Sequence, residues 1–260
     1  MTDTRLWDRA ALAIVPDEAR RVPAVPALGS ALPTVPELFE FMRDAELRFA
    51  TLMLRIVERA GTTRGEDATQ VDVMVRHPGH ARVTTSRAGE YLGGQYELWV
   101  SDGDLVRTYA ARHKLGTQRP IRNRPRGLED RDLPGMAKVY EPVTPLPAET
   151  LPDTFIHPAG YCQNVLSTGR CVVTGTALVG DREAIVLECD HPRTIEMSGD
   201  RPDHRIVITV DRQLGMILRL VESFGETVTR DAEVTDIRPD APLPPTAFDF
   251  AFPTGTTMLY

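Results

Sequence analysis

Apolar and polar positions alternate with two different periods along this chain. Leu38, Met42, Ala45, Phe49, Leu52 and Ile56 recur in steps of three and four, and Glu40, Asp44, Arg48, Thr51, Arg55 and Glu58 fill the opposite side. That spacing predicts one long amphipathic helix whose apolar side must cover something. Thr34-Val35-Pro36-Glu37 fits a capping box at its start, with Pro36 in the first turn, where its missing N–H costs little. Gly61 fits a C-cap.

After Gly61 the period shortens to two. Val71, Val73 and Val75 alternate with polar or longer residues, Pro78-Gly79 makes a turn, and 81–85 reads as the return strand. Strands 95–100 and 105–110 flank the tight connection Ser101-Asp102-Gly103-Asp104. A second block begins near Gly169, with strands at 170–176, 183–189, 204–210, 215–223 and 227–237. Short connections between successive strands mean antiparallel pairing. Residues 1–33 form an arm with prolines at 16, 23, 26 and 33, either docked on the body or a tail. Residues 34–260 read as one domain, interrupted by a long irregular stretch at 112–168.

About nine antiparallel strands and one long helix predict an α+β protein. The expected form is a strongly curled antiparallel sheet, a half-open β-barrel, with the long helix over its concave face. Such a sheet encloses an apolar space, which is either a filled core or a ligand cavity.

Composition narrows the function classes. The 260 residues are 42% hydrophobic and 26% charged, so the chain buries a core and is not disordered throughout. The formal net charge of −7 disfavours nucleic acid and anionic membrane surfaces as partners. No apolar run is long enough to span a bilayer, so no transmembrane segment is expected. Met1-Thr2-Asp3-Thr4-Arg5-Leu6-Trp7-Asp8 has neither a basic start nor an apolar stretch, so a cytoplasmic location is expected, with export only if the true start lies upstream. Between Arg112 and Arg131, seven basic residues face only Glu129 and Asp130, and this loop suits an acidic protein partner.

Candidate chemistry is sparse. His77-Pro78-Gly79-His80 puts two histidines around a turn, but a metal needs further converging ligands. Cys162, Cys171, Cys189 and His191 match no zinc-finger or ribbon spacing, and three cysteines read as free thiols, with a Cys162–Cys171 bridge open if the chain is exported. Cys162 with His157 sketches a nucleophile and base, without the local context such pairs have. No Gly-rich loop opens a helix to cradle a nucleotide. No catalytic residue, metal site or cofactor is therefore assigned.

Several motifs, in order, resemble one family. They are the helix before the first strand, Pro78-Gly79-His80-Ala81-Arg82, and Glu97-Leu98-Trp99-Val100-Ser101-Asp102-Gly103. Later come Val207–Asp211 running to Leu214-Gly215-Met216, and the close Thr235-Asp236-Ile237, Leu243-Pro244 and Phe248-Asp249-Phe250. Together, over roughly residues 34–255, these are similar to the outer-membrane lipoprotein carrier superfamily (LolA, LolB, RseB and LppX-like proteins). The resemblance implies non-covalent binding of a hydrophobic small molecule, lipid or acyl chain. Its RseB-like members imply an alternative, a regulatory protein-interaction module. A cavity enzyme acting on an apolar metabolite is a third reading, requiring ionisable groups in the cavity.

On that reading the lining residues are Phe49, Met53 and Ile56 from the helix and Leu98, Tyr109, Ile208 and Leu218 from the sheet. Arg82 is a candidate for a ligand carboxylate, although Ala81 and Val83 look like the inward side of its strand. Phe49→Ala is accordingly expected to weaken apolar-ligand binding more than stability, with a stability loss of roughly 1–2 kcal/mol.

Overall fold

The computed structural model describes residues 22–62, 65–87, 95–121, 142–192 and 203–259. The helix begins as expected. The Thr34 hydroxyl accepts the Glu37 N–H at 3.5 Å, and the Thr34 N–H donates to Glu37 Oε2 at 2.7 Å. Helix α1 (Val35–Arg43) then stops, a single 3-10 turn (Ala45–Arg48) follows, and the chain enters strand β1 (Thr51–Thr62). The long helix is therefore corrected to a short one.

The cause lies in burial on two sides. In β1, Leu52, Leu54 and Ile56 face one layer while Met53 faces another, and all four are buried. A strand apolar on both faces satisfies helical spacing as well as strand spacing. The partners on both sides decide: β1 pairs with β2 (Gly65–Arg76) and with β11 (Thr227–Pro239) at the centre of the sheet.

Strands β3 (His80–Arg87), β4 (Tyr96–Asp102), β5 (Leu105–Ala110) and β6 (Leu115–Pro120) continue outward from β2. Helices α2 (Leu151–Ile156) and α3 (Pro158–Asn164) follow, then β7 (Arg170–Val179), β8 (Arg182–Asp190), β9 (His204–Asp211) and β10 (Ile217–Phe224), and last β12 (Thr257–Leu259). One twelve-stranded sheet results, in the order β12-β6-β5-β4-β3-β2-β1-β11-β10-β9-β8-β7. The α+β class stands. The sheet is mixed, because β12 lies parallel to β6.

The sheet is open rather than a strongly curled half-barrel: its order ends at β12 and β7, which do not pair with each other. One face carries the larger cluster, where Val73, Val75 and Ala81 meet Leu38 and Met42 of α1 and Phe155 of α2. The other carries a smaller cluster, where Met53, Met74 and Val100 meet Leu243, Ala247 and Phe248 of the C-terminal segment. The stretch 112–168 is likewise corrected: it holds β6, α2 and α3. Pro152 and Pro158 sit in the first turns of α2 and α3, where proline is tolerated, so they mark helix starts there and not loop.

Two turn motifs acquire a physical reason. Gly79 (φ +79°) lies against Gly103 (φ +96°), and a Cβ on Gly79 would come within 3.2 Å of Gly103 Cα. The Gly79 N–H donates to Thr144 Oγ1 at 2.8 Å, and Ser101 Oγ donates to the Gly79 carbonyl at 2.6 Å. The Pro-Gly and Ser-Asp-Gly turns thus pack as one corner. Gly215 (φ +77°) sits where a Cβ would come within 3.0 Å of the Phe41 carbonyl, so α1 rests on the β9–β10 turn. The arm is docked over 24–31. Ala24 N–H donates to Asp44 Oδ2 at 2.9 Å, and Arg212 donates to the carbonyls of Gly29 and Ser30 at 2.7 Å and Ala31 at 3.0 Å. Residues 1–21 lie outside the described residues.

Candidate functional site

The register of the first sheet half places one row of side chains across four strands. Val83 on β3 opposes Trp99 on β4, which opposes Thr108 on β5, which opposes Thr117 on β6. A second row, two residues on, runs from Val71 through Thr85, Glu97 and Ala110 to Leu115. Both rows face the helical layer, because they share parity with Val73 and Val75. Pro147, Leu151 and Pro152 lie across from them, and together they enclose a cavity of about 560 Å³. That size suits a small apolar ligand or part of an acyl chain.

Polar groups share the lining of this cavity. Arg230 Nε reaches Glu58 Oε1 at 2.5 Å and a guanidinium nitrogen lies 3.7 Å from Glu222, so its charge is neutralised at the β1–β11 side. Thr108 and Thr117 share a hydroxyl hydrogen bond at 2.6 Å. The described lining contains no His, Cys, Lys, Ser or Asp. Its ionisable side chains are Glu58, Glu97, Glu149, Tyr109 and Arg230.

A charged cluster lies behind the cavity wall. His157, at the end of α2, has Nδ1 at 3.0 Å from Asp153 Oδ1 and Nε2 at 3.3 Å from Glu46 Oε2. The buried Glu46 carboxylate also accepts the Val143 N–H at 3.0 and 2.9 Å. Burial opposes a charge on His157, but the hydrogen bond to Asp153 and the nearby Glu46 carboxylate outweigh it and raise its pKa to about 9. A raised folded-state pKa means stability that is fully present below about pH 6.5 and lost as pH rises through about 9. Urea unfolding across pH 6–10 should show a loss on the order of 2–3 kcal/mol in that window. His157→Gln should flatten the slope, and an unchanged slope would show that the triad carries no net charge coupling.

The residues expected to line a site fall into three places. Leu98 and Tyr109 border the cavity, while their side chains join the smaller cluster, where the Tyr109 ring lies 5.8 Å from Phe250. Met53 also lies in that smaller cluster. Ile56, Ile208 and Leu218 are fully buried in the larger cluster, outside the cavity lining. Phe49 precedes β1, fully buried and stacked on His77 at 5.1 Å between ring centres. Arg82 points to the far face and donates to the Ala247 and Asp249 carbonyls at 3.3 and 3.4 Å, holding the C-terminal segment.

Val71, Val83, Thr85, Trp99 and Thr108 were missed as lining. The signal was present at Ala81 and Val83, whose parity leads to Trp99 across the strand, one residue from Leu98.

The remaining candidates disperse. His77 Nδ1 meets Thr144 Oγ1 at 2.7 Å, and His80 Nδ1 meets the Pro78 carbonyl at 2.8 Å. Among the described residues no cluster suited to a metal occurs. The Cys162 thiol donates to Met42 Sδ at 3.8 Å, burial pushes its pKa up, and His157 is held by carboxylates instead. Arg112, Lys114 and Arg119 of the basic loop are exposed on the β5–β6 hairpin. Arg122, Arg124, Arg126 and Arg131 lie outside the described residues.

No family model matches the chain, and no curated protein matches its sequence. Solved structures do. MucB is similar at 14% identity and a TM-score of 0.47, over 83% of this chain and 62% of that one. A LolA superfamily protein from Nitrosomonas europaea is similar at 11% identity and a TM-score of 0.34, over 84% of this chain and 98% of that one. An outer membrane lipoprotein-sorting protein domain from Vibrio parahaemolyticus is similar at 10% identity and a TM-score of 0.31, over 81% and 95%. The solved structures to which the chain is similar thus include members of the superfamily named above, at TM-scores below 0.5. The chain spans less than two thirds of the length of MucB. The cytoplasmic expectation is withdrawn; the solved structures to which the chain is similar include one named for outer membrane lipoprotein sorting and a complex of MucB with MucA(peri). That expectation had only the first residues of the sequence behind it, and they do not place the protein.

Proposed function

We propose that this protein binds a hydrophobic small molecule or acyl chain, without covalent chemistry, in the cavity between the β2–β6 face and the segment leading into α2. The observation that carries this reading is the cavity itself. It measures about 560 Å³, and its wall includes Val71, Val83, Trp99, Leu115 and Leu151. Moving an acyl chain into such a space removes apolar surface from water, at roughly 0.8 kcal/mol per buried methylene. Trp99 is half-buried in the wall and reports on occupancy through its fluorescence. Holding and releasing a ligand is the reading that the apolar part of the lining favours.

Native mass spectrometry of gently purified protein should reveal a bound lipid or metabolite, or the empty protein should take up a fluorescent fatty acid. A protein that is always empty and excludes the probe would sink the reading. Thr85→Trp inserts a ring from the wall at a half-buried strand position. It should weaken uptake at least about tenfold, which is roughly 1.4 kcal/mol, and cost roughly 1–3 kcal/mol of stability through overpacking. Unchanged uptake by this variant would place the ligand elsewhere.

A further inference from the structure

The strand register brings two cysteines into direct opposition. Cys171 on β7 is the direct cross-strand partner of Cys189 on β8. Opposed residues of an antiparallel pair have Cα atoms about 4.5 or 5.5 Å apart, and both values fall inside the roughly 4.4–6.8 Å that a disulfide spans. Side chains of opposed residues also share one face of the sheet. Here both thiols turn to the same oxygen: Cys171 Sγ donates to the Leu166 carbonyl at 3.0 Å and Cys189 Sγ at 3.2 Å. Gly169 keeps the space beside Cys189 open, since a Cβ there would come within 2.8 Å of its sulfur. Cys171 is half-buried, on the edge strand of the sheet, and Cys189 is buried behind it.

From this juxtaposition we infer that Cys171 and Cys189 form a reversible dithiol–disulfide pair, a modification site that takes low-molecular-weight disulfides as its oxidant. The Cys171 thiolate attacks one sulfur of the oxidant R–S–S–R, breaking that bond, forming a Cys171–S–S–R mixed disulfide and releasing RS⁻. Cys189 then loses its proton and attacks the Cys171 sulfur, forming the protein disulfide and releasing the second RS⁻. The protein loses two protons and two electrons, and the oxidant leaves as two RSH. The order follows exposure, and acidity agrees with it. The hydrogen bond with Cys189 holds the Cys171 thiol below its usual pKa, and the same bond, with burial, pushes Cys189 up. Oxidation also removes both thiol donors from the Leu166 carbonyl, in the turn that joins α3 to β7, leaving it the Gly169 N–H at 3.1 Å. Cys162 stays outside the pair, with its thiol on Met42.

The test is oxidised glutathione on the full chain, followed by denaturation, alkylation of free thiols and peptide mapping. Labelled thiols should fall from three to one, with Cys162 the survivor and a Cys171–Cys189 peptide pair on the map. Dithiothreitol should restore all three. Cys162→Ala should still form the cross-link, and Cys189→Ser should stop at one glutathione on Cys171. Three thiols persisting, a Cys162–Cys171 link, or a lasting glutathione adduct in the unsubstituted protein would each overturn the inference. Should Cys189→Ser fail to fold, the map of Cys162→Ala decides.

Discussion

Replacing Phe49 with alanine is expected to cost about 3–5 kcal/mol of stability while leaving ligand uptake by the folded fraction unchanged. The ring is fully buried in the larger cluster and outside the cavity lining. It stacks on His77 with ring centres 5.1 Å apart, and His77 is itself fixed, its N–H donating to the Ala50 carbonyl at 3.0 Å and Nδ1 meeting Thr144 at 2.7 Å. Neighbours held by hydrogen bonds cannot collapse into the void, so the residual cavity adds to the lost transfer energy. This outcome reverses the expectation from helical spacing, where the same change cost little stability and much affinity. Urea unfolding and fatty-acid uptake, measured together, separate the two. A loss under about 2 kcal/mol with impaired uptake would return Phe49 to the binding site.

Asp211→Ala should be comparably damaging, at about 3–5 kcal/mol, because it strands a partly buried charge. Asp211 is fully buried at the β9–β10 turn. Its Oδ1 accepts the N–H groups of Gln213 at 2.8 Å and Leu214 at 2.7 Å, and Arg182 grips both carboxylate oxygens from β8. Gly215 in the same turn bears the Phe41 carbonyl, so the loss reaches α1. Asp211→Asn keeps an acceptor for the two N–H groups and loses the charge, and it should fall between alanine and the native residue. A midpoint shift worth less than about 1 kcal/mol for alanine would show that the turn holds through its backbone alone.

Most strands were readable because their pattern is local. At 71–76, 105–110 and 204–211 one face or a tight turn declares the period. The turns at Gly79, Gly103 and Gly215 were readable for a related reason, since a positive φ beside another backbone leaves few choices but glycine. β6 was hidden, because Leu-Gly-Thr-Gln-Arg-Pro has little apolar signal and owes its pairing to β5 and β12. The site was half visible. Leu98 and Tyr109 border the cavity, but their apolar alternation pointed to the face sealed by Phe248 and Phe250, while Trp99, with Glu97 and Ser101 on its own side of the strand, held the wall.

By itself, then, the sequence determined the α+β class, the two antiparallel strand blocks, the capped start of α1 and the turn corners. Each of these is decided within a few residues by steric limits, capping or periodicity. Only the tertiary structure decided that 51–62 is a strand, that the sheet stays open, and that the cavity lies on the Val83–Trp99 side. A segment apolar on both faces is consistent with helix or strand until its neighbours are known, and here β2 and β11 supply the hydrogen bonds. Likewise, whether an apolar strand face becomes core or cavity depends on what covers it. The C-terminal segment fills one face with Leu243, Ala247 and Phe248, and the Pro147–Pro152 segment leaves room over the other. Those coverings lie dozens of residues away in the chain, beyond the reach of any local pattern.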